Sequence, residues 1–282
     1  MKTMNSLSGG KTSAFIAANY PADFDIFSLV RIEDQNCLFP DAKIRQQIED
    51  RIQAPFVGTA EDDMIIYTML DLEQFIGRPI TWVTGKTFDD ITQRKDKVYL
   101  PNKVQRFCTI QMKIEPIFYW WANNVGEVVE MRIGFRANET RRAKNMLERC
   151  NEDGFSEFKA TFEKHKDGRN KWENVPYQKP SFPLIDAGTY KDSIENFWKD
   201  KPVRFAWMNN CVGCFHKSPL LLRKMFDKHP NKLEWFAKRE RESVNGANWR
   251  SEMTYDEIKN WNSQFELFDD DFNECDSGSC GL

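Results

Sequence analysis

Ser8-Gly9-Gly10-Lys11-Thr12-Ser13 lies between a short mixed segment, residues 1 to 7, and Ala14-Phe15-Ile16-Ala17-Ala18, a good helix former. This opening predicts a strand, a glycine turn and a helix, with Thr12 or Ser13 as the helix cap. Two glycines let the backbone turn tightly and approach an anion closely. Successive amides can form a concave nest of donors, and the following helix aims its positive end at the same spot. Lys11 adds a full charge; Ser8, Thr12 and Ser13 add hydroxyls. The stretch reads as a phosphate site at the carboxyl end of a strand, where open α/β sheets bind ligands. It is not a Walker A loop, because the spacing between the first Gly and Gly-Lys is absent. The plain alternative is a Gly-Gly turn with a capping serine.

Downstream, Phe24 to Ile32 is apolar enough for a strand buried on both faces. Asp41 to Ile52 predicts a helix with Ile44, Ile48 and Ile52 on one stripe. Asp62 to Ile76 predicts another, stopped by Gly77 and Pro79. Strands are expected at Ile80–Thr84, Val128–Ile133 and, last, Val203–Met208. The alternation indicates βαβ units, hence an α/β fold: a mostly parallel, doubly wound sheet of about five strands. Residues 146 to 180 are polar and break the rhythm, as an insertion or surface hairpin would. Two helical stretches, about 218–228 and 231–243, follow Cys211, and residues 264–276 are acidic. The expected division is a nucleotide-binding domain over 1–210 and a Cys-bearing helical extension over 211–282.

With 40% hydrophobic and 29% charged residues, the 282-residue chain has the composition of a globular protein. Nine Trp, seven Tyr and twenty-two Phe supply core material. Trp120-Trp121 lacks interleaved Arg or Lys and reads as core rather than as a base-stacking platform. A net charge of -3 excludes a strongly basic chain of the histone type, though not a local basic groove. No run of about 18 apolar residues exists to span a membrane. Met1-Lys-Thr-Met-Asn has no signal-like apolar run, so a cytoplasmic location is expected.

In a reducing compartment, seven cysteines point to metal or redox chemistry more than to disulfides. Cys211-Val-Gly-Cys214 is a Cys-x-x-Cys, and Cys275 and Cys280 form a second pair. Two such pairs suit zinc or an iron–sulfur cluster. His216 is a further candidate ligand. Cys37, Cys150, His165 and His229 receive no role. Gly134-Phe-Arg136 follows a strand, and Arg136, Arg141 and Arg142 could clamp phosphate or sulfate through paired N–H donors, with Glu139 orienting an arginine or holding a metal. The alternative is a solvated helix start. Lys113 is another candidate cation.

Ser-Gly-Gly-Lys-Thr-Ser resembles the PP-loop of the N-type ATP pyrophosphatases, whose usual loop has Asp where Thr12 stands. Three further stretches narrow the resemblance to the phosphoadenosine phosphosulfate (PAPS) reductase family. These are Arg106-Phe-Cys108-Thr109 with Lys113-Ile-Glu-Pro116, Ile133-Gly134-Phe-Arg136-Ala-Asn-Glu139-Thr-Arg141-Arg142, and Phe182-Pro-Leu-Ile-Asp186. The likeness covers roughly residues 1 to 220. It implies an adenine nucleotide alpha hydrolase-like fold, with Ser8, Gly9, Gly10, Lys11, Thr12, Ser13, Arg136 and Arg141 around ATP or a PAPS-type nucleotide. Lys11 and Arg136 would be catalytic, and Mg²⁺ would accompany ATP.

Cluster-bearing relatives carry a Cys-Cys pair near the position of Cys108. Phe107 replaces one of these here, leaving Cys108, Cys211 and Cys214 as ligands with Cys275 as fourth. The family's C-terminal Glu-Cys-Gly-x-His places a nucleophile at Cys280, although this chain reads Ser279-Cys280-Gly281-Leu282. The implied partners are an adenine nucleotide and a thiol reductant such as thioredoxin. Two other functions fit the same features: ATP-dependent sulfur insertion into a nucleic acid, and nucleotide sensing without catalysis.

Overall fold

The computed structural model describes residues 1–261. Its centre is a six-stranded, mostly parallel sheet flanked by helices. The strands are β1 (Thr3–Leu7), β2 (Phe24–Leu29), β3 (Ile80–Thr84), β4 (Val129–Arg132), β5 (Ser156–Lys164) and β6 (Asn170–Ser181). Across the sheet the order is β3-β2-β1-β4-β6-β5, and only the β5–β6 pairing is antiparallel. The helices used below are α1 (Lys11–Asn19), α2 (Ala42–Ile52), α3 (Met64–Ile76), α4 (Glu115–Asn124), α5 (Thr140–Leu147), α6 (Lys191–Trp198), α7 (Pro219–Lys228), α8 (Pro230–Arg241) and α9 (Tyr255–Asn260).

Both faces of the sheet are covered, as its apolar strands require. Leu7 and Phe27 pack with Ile16 of α1, Ile66 and Met69 of α3 and Trp198 of α6. Met4, Ile26 and Met131 pack on the other face with Phe118 and Trp121 of α4. Trp121 is thus core, and its indole N–H donates to the Glu127 carbonyl at 2.8 Å. A third cluster joins Val30, Ile32, Ala60 and Phe88 to Leu222, Phe236, Trp249 and Tyr255. The helices after Cys211 therefore share a core with the segments that follow the strands.

Local signals set most element limits. Asp41 caps α2 by accepting from the Lys43 and Ile44 amides at 2.9 and 3.1 Å. Of the two readings of residues 146–180, the hairpin is the one found: residues 156–181 form β5–β6. It is not merely peripheral, because the end of β6 pairs with β4 from Gln178–Val129 to Ser181–Arg132. This segment takes the place in the sheet expected for Val203–Met208, which forms no strand. There Val203 packs in the α3–α6 core, and the Arg204 guanidinium donates to Asp71 at 2.7 and 2.8 Å.

Gly213 turns against the ring of Phe236. A Cβ on residue 213 would lie 2.4 Å from Phe236 Cδ2. Gly213→Ala is expected to lower stability by about 1–3 kcal/mol, the range for overpacking a filled core, with urea denaturation as the measurement.

Candidate functional site

Strand order reverses at β1. β2 and β3 extend to one side, and β4 and β6 to the other. The connections leaving β1 and β4 separate there and open a crevice at the carboxyl edge. The crevice encloses about 1000 Å³, open mouth included, and its wall contains Ser8, Gly10, Thr12, Gly134, Lys113 and Asn210.

Gly9 has φ +78°, and a Cβ there would lie 2.4 Å from Ile65 Cγ2. Only glycine meets both conditions without strain. Gly10, in extended conformation, is the N-cap of α1, and no side chain caps the helix. This corrects the expectation that Thr12 or Ser13 caps. Ser13 lies within the first turn, and its hydroxyl donates back to the Gly10 carbonyl at 3.1 Å while accepting from the Ser8 amide at 3.1 Å. The loop is pinned by its own serines, and the first-turn amides keep their capacity to bind an anion. Thr12 Cγ2 lies 3.2 Å from the Cβ position of Gly134, which joins the two sides of the crevice.

The candidate cations divide. Lys11 is not part of the crevice wall; its ammonium pairs with Glu195 of α6 and lies 5.9 Å from the centre of the Phe205 ring. Lys113 lines the crevice and pairs with Glu61 Oε1 at 2.9 Å. Glu61 is 1% exposed, and its Oε2 has no hydrogen-bond partner. Arg136 is buried beside the wall residue Phe135 and donates to Glu139 Oε2 at 3.1 Å. Arg142 also pairs with Glu139 and stacks 4.3 Å from the Phe135 ring centre. Glu139 therefore orients arginines, one of its two expected roles. Arg141 is exposed.

Cys108, Cys211 and Cys214 converge on a second pocket, beside His216 and Gly213. Burial, with the charges of Arg106 and Lys103, holds the His216 imidazole below its usual range, and its Nε2 is buried without a partner. Among the described residues, no three His, Cys, Asp or Glu side chains form a group that could hold a metal ion. The described side chains thus do not by themselves complete a metal site. Cys275 and Cys280 lie outside the described residues. Burial, reinforced by Asp34, pushes the Cys37 thiol up to about 12, so it is a poor nucleophile.

The two cavities have only Lys113 and Asn210 in common among their lining residues. Glu61, Asn210 and Lys217 escaped the sequence reading: Glu61 acts through Lys113, 52 residues away, while Asn210 and Lys217 lie in a segment without the periodicity of a strand or helix. The one local signal was the polar pair Asn209-Asn210 just before the Cys-x-x-Cys. Fold and crevice together define an α/β protein with a candidate ligand site where a mostly parallel sheet reverses its strand order. The chain matches no protein-family model, no curated protein and no solved structure. Among the described residues, no helix is long and apolar enough to cross a membrane.

Gly9→Ala is expected to weaken binding of inorganic pyrophosphate by about tenfold or more, the scale of losing one charge-assisted hydrogen bond. Isothermal titration calorimetry reads the affinity, and circular dichroism checks that the fold is kept.

Proposed function

We propose that the chain is an adenine-nucleotide enzyme of the PP-loop class, resembling the PAPS reductases and acting in sulfur chemistry. The observation that carries this reading is that the crevice at the glycine loop and a pocket lined by three cysteines share Lys113 and Asn210. A nucleotide held by phosphate at Ser8–Ser13 could extend its reacting group toward a thiol.

The preferred substrate is a phosphosulfate. A cysteine thiolate attacks the sulfur, forming an S–S bond while the S–O bond breaks. The electron pair leaves on the phosphate oxygen of the nucleotide. A thiol of a dithiol reductant such as thioredoxin then attacks the cysteine sulfur, which yields a disulfide and releases sulfite. Its second thiol returns the cysteine as thiolate and becomes oxidised. Lys113 would neutralise charge developing on the departing group. The same crevice could present the α-phosphate of ATP with Mg²⁺. Thr12 stands where a carboxylate is usual, and none of the described crevice-lining residues is acidic. This favours the phosphosulfate, whose reaction calls for no magnesium ligand from the protein. Cys108, Cys211 and Cys214, with Cys275, would hold iron–sulfur or zinc in the same proposal, and the attacking thiolate would then be that of Cys280.

The test is sulfite release from PAPS with a dithiol reductant. The Lys113→Met/Glu61→Gln double variant, which leaves no buried carboxylate unpaired, should lose about 10²–10³-fold in turnover. Absence of both PAPS binding and sulfite release in the wild type would overturn the reading. Metal and sulfide analysis of anaerobically purified protein, compared with Cys211→Ser, checks the cofactor: the wild type should carry metal and the variant less.

A further inference from the structure

We infer that Asn210 is the residue that holds the reacting oxyanion group of the substrate at the junction of the two cavities. The assignment rests on the nucleotide reading above and identifies the part of the substrate recognised there: a tetrahedral sulfonyl or phosphoryl group.

Three observations carry it. The first is position. Asn210 is 8% exposed and lines both the crevice and the cysteine pocket, facing the same gap as Lys113. A group passing from Ser8–Ser13 toward a cysteine sulfur passes between these two side chains. One supplies a fixed positive charge, and the other a carboxamide able to donate to an oxygen.

The second is backbone conformation. Asn210 has φ +65°, in the left-handed region. Asparagine is among the side chains that tolerate this region best, so the turn carries a carboxamide where most residues would be strained. The third is support. Lys217 is 0% exposed, and its ammonium donates to the carbonyls of Asn209 at 3.1 Å and Cys211 at 2.8 Å, one on each side of Asn210. Asn209 itself abuts the anion loop: a Cβ on Gly10 would lie 2.3 Å from Asn209 Nδ2. Cys211 bridges to Glu61, the partner of Lys113. Asn210 is thus held between the glycine loop and the cysteine pocket, as a group used for positioning must be.

The test compares affinities for PAPS and for adenosine 3′,5′-bisphosphate, which lacks the sulfonyl group, in the wild type and in Asn210→Gly. Glycine accepts the backbone angle, so the variant should keep the fold, with circular dichroism as the check. The wild type should prefer PAPS by about tenfold or more, the scale of a hydrogen bond to a charged group. The variant should lose most of that preference while binding the bisphosphate within threefold of wild type. An unchanged preference in the variant, or none in the wild type, overturns the assignment of Asn210 and leaves nucleotide binding standing. Failure of the wild type to bind either nucleotide overturns the nucleotide reading, and this assignment with it.

Discussion

The buried carbonyls of residues 209–217 impose the constraint on which the site depends. This segment runs through the interior without belonging to a strand or helix, so no regular backbone ladder satisfies its acceptors and side chains must supply most of the partners. Buried side chains supply them at every second residue. Lys217 donates to the carbonyls of Asn209 and Cys211. The Tyr255 hydroxyl donates to that of Gly213 at 2.8 Å, and Arg250 donates to those of Phe215 and Lys217. The Val212 amide donates to the Ala60 carbonyl at 2.9 Å, which ties the segment to the stretch that carries Glu61. An unsatisfied buried carbonyl costs about 1–3 kcal/mol, so this set of donors decides whether the segment can run there at all.

From that scaffold the chemistry follows by position. The glycine loop stands at the carboxyl end of β1, where strand order reverses. The same interior segment presents Asn209 to the loop, Asn210 to the gap and Cys211 to the second pocket. α8 contributes from behind: the Lys232 ammonium donates to the Glu61 carbonyl and to Asp63, both at 2.7 Å. Helices late in the chain therefore hold in place the buried acid that fixes Lys113. This coupling accounts for a core that runs from Val30 to Ile258.

How much of this could be read from sequence depended on how local the cause was. The glycine turn, β3 over Ile80–Thr84 and the helix expected over Asp41–Ile52, found at Ala42–Ile52, are set by neighbouring residues. A hairpin over 146–180 was legible as one of two readings, but its joining the central sheet was hidden, because its turn region is charged and exposed and the few residues that pair with β4, Gln178–Ser181, include Pro180. Val203–Met208 has the apolar content of a strand, but Phe205 packs on Trp198 instead. The pairing of Lys11 with Glu195 was equally hidden, since the two are 184 residues apart. The convergence of Cys108 with Cys211 and Cys214 was anticipated only through family resemblance.

The central claim is that phosphate binds at the start of α1 while the reacting group points to the cysteines. A crystal structure of the protein with PAPS, or with 3′,5′-bisphosphate and sulfite, tests it most directly. The account predicts phosphate density within hydrogen-bonding distance of the Lys11, Thr12 and Ser13 amides, with the sulfur-bearing group between Lys113 and Asn210. A nucleotide bound elsewhere, or bound in the crevice with its sulfonyl group turned to solvent, would contradict it.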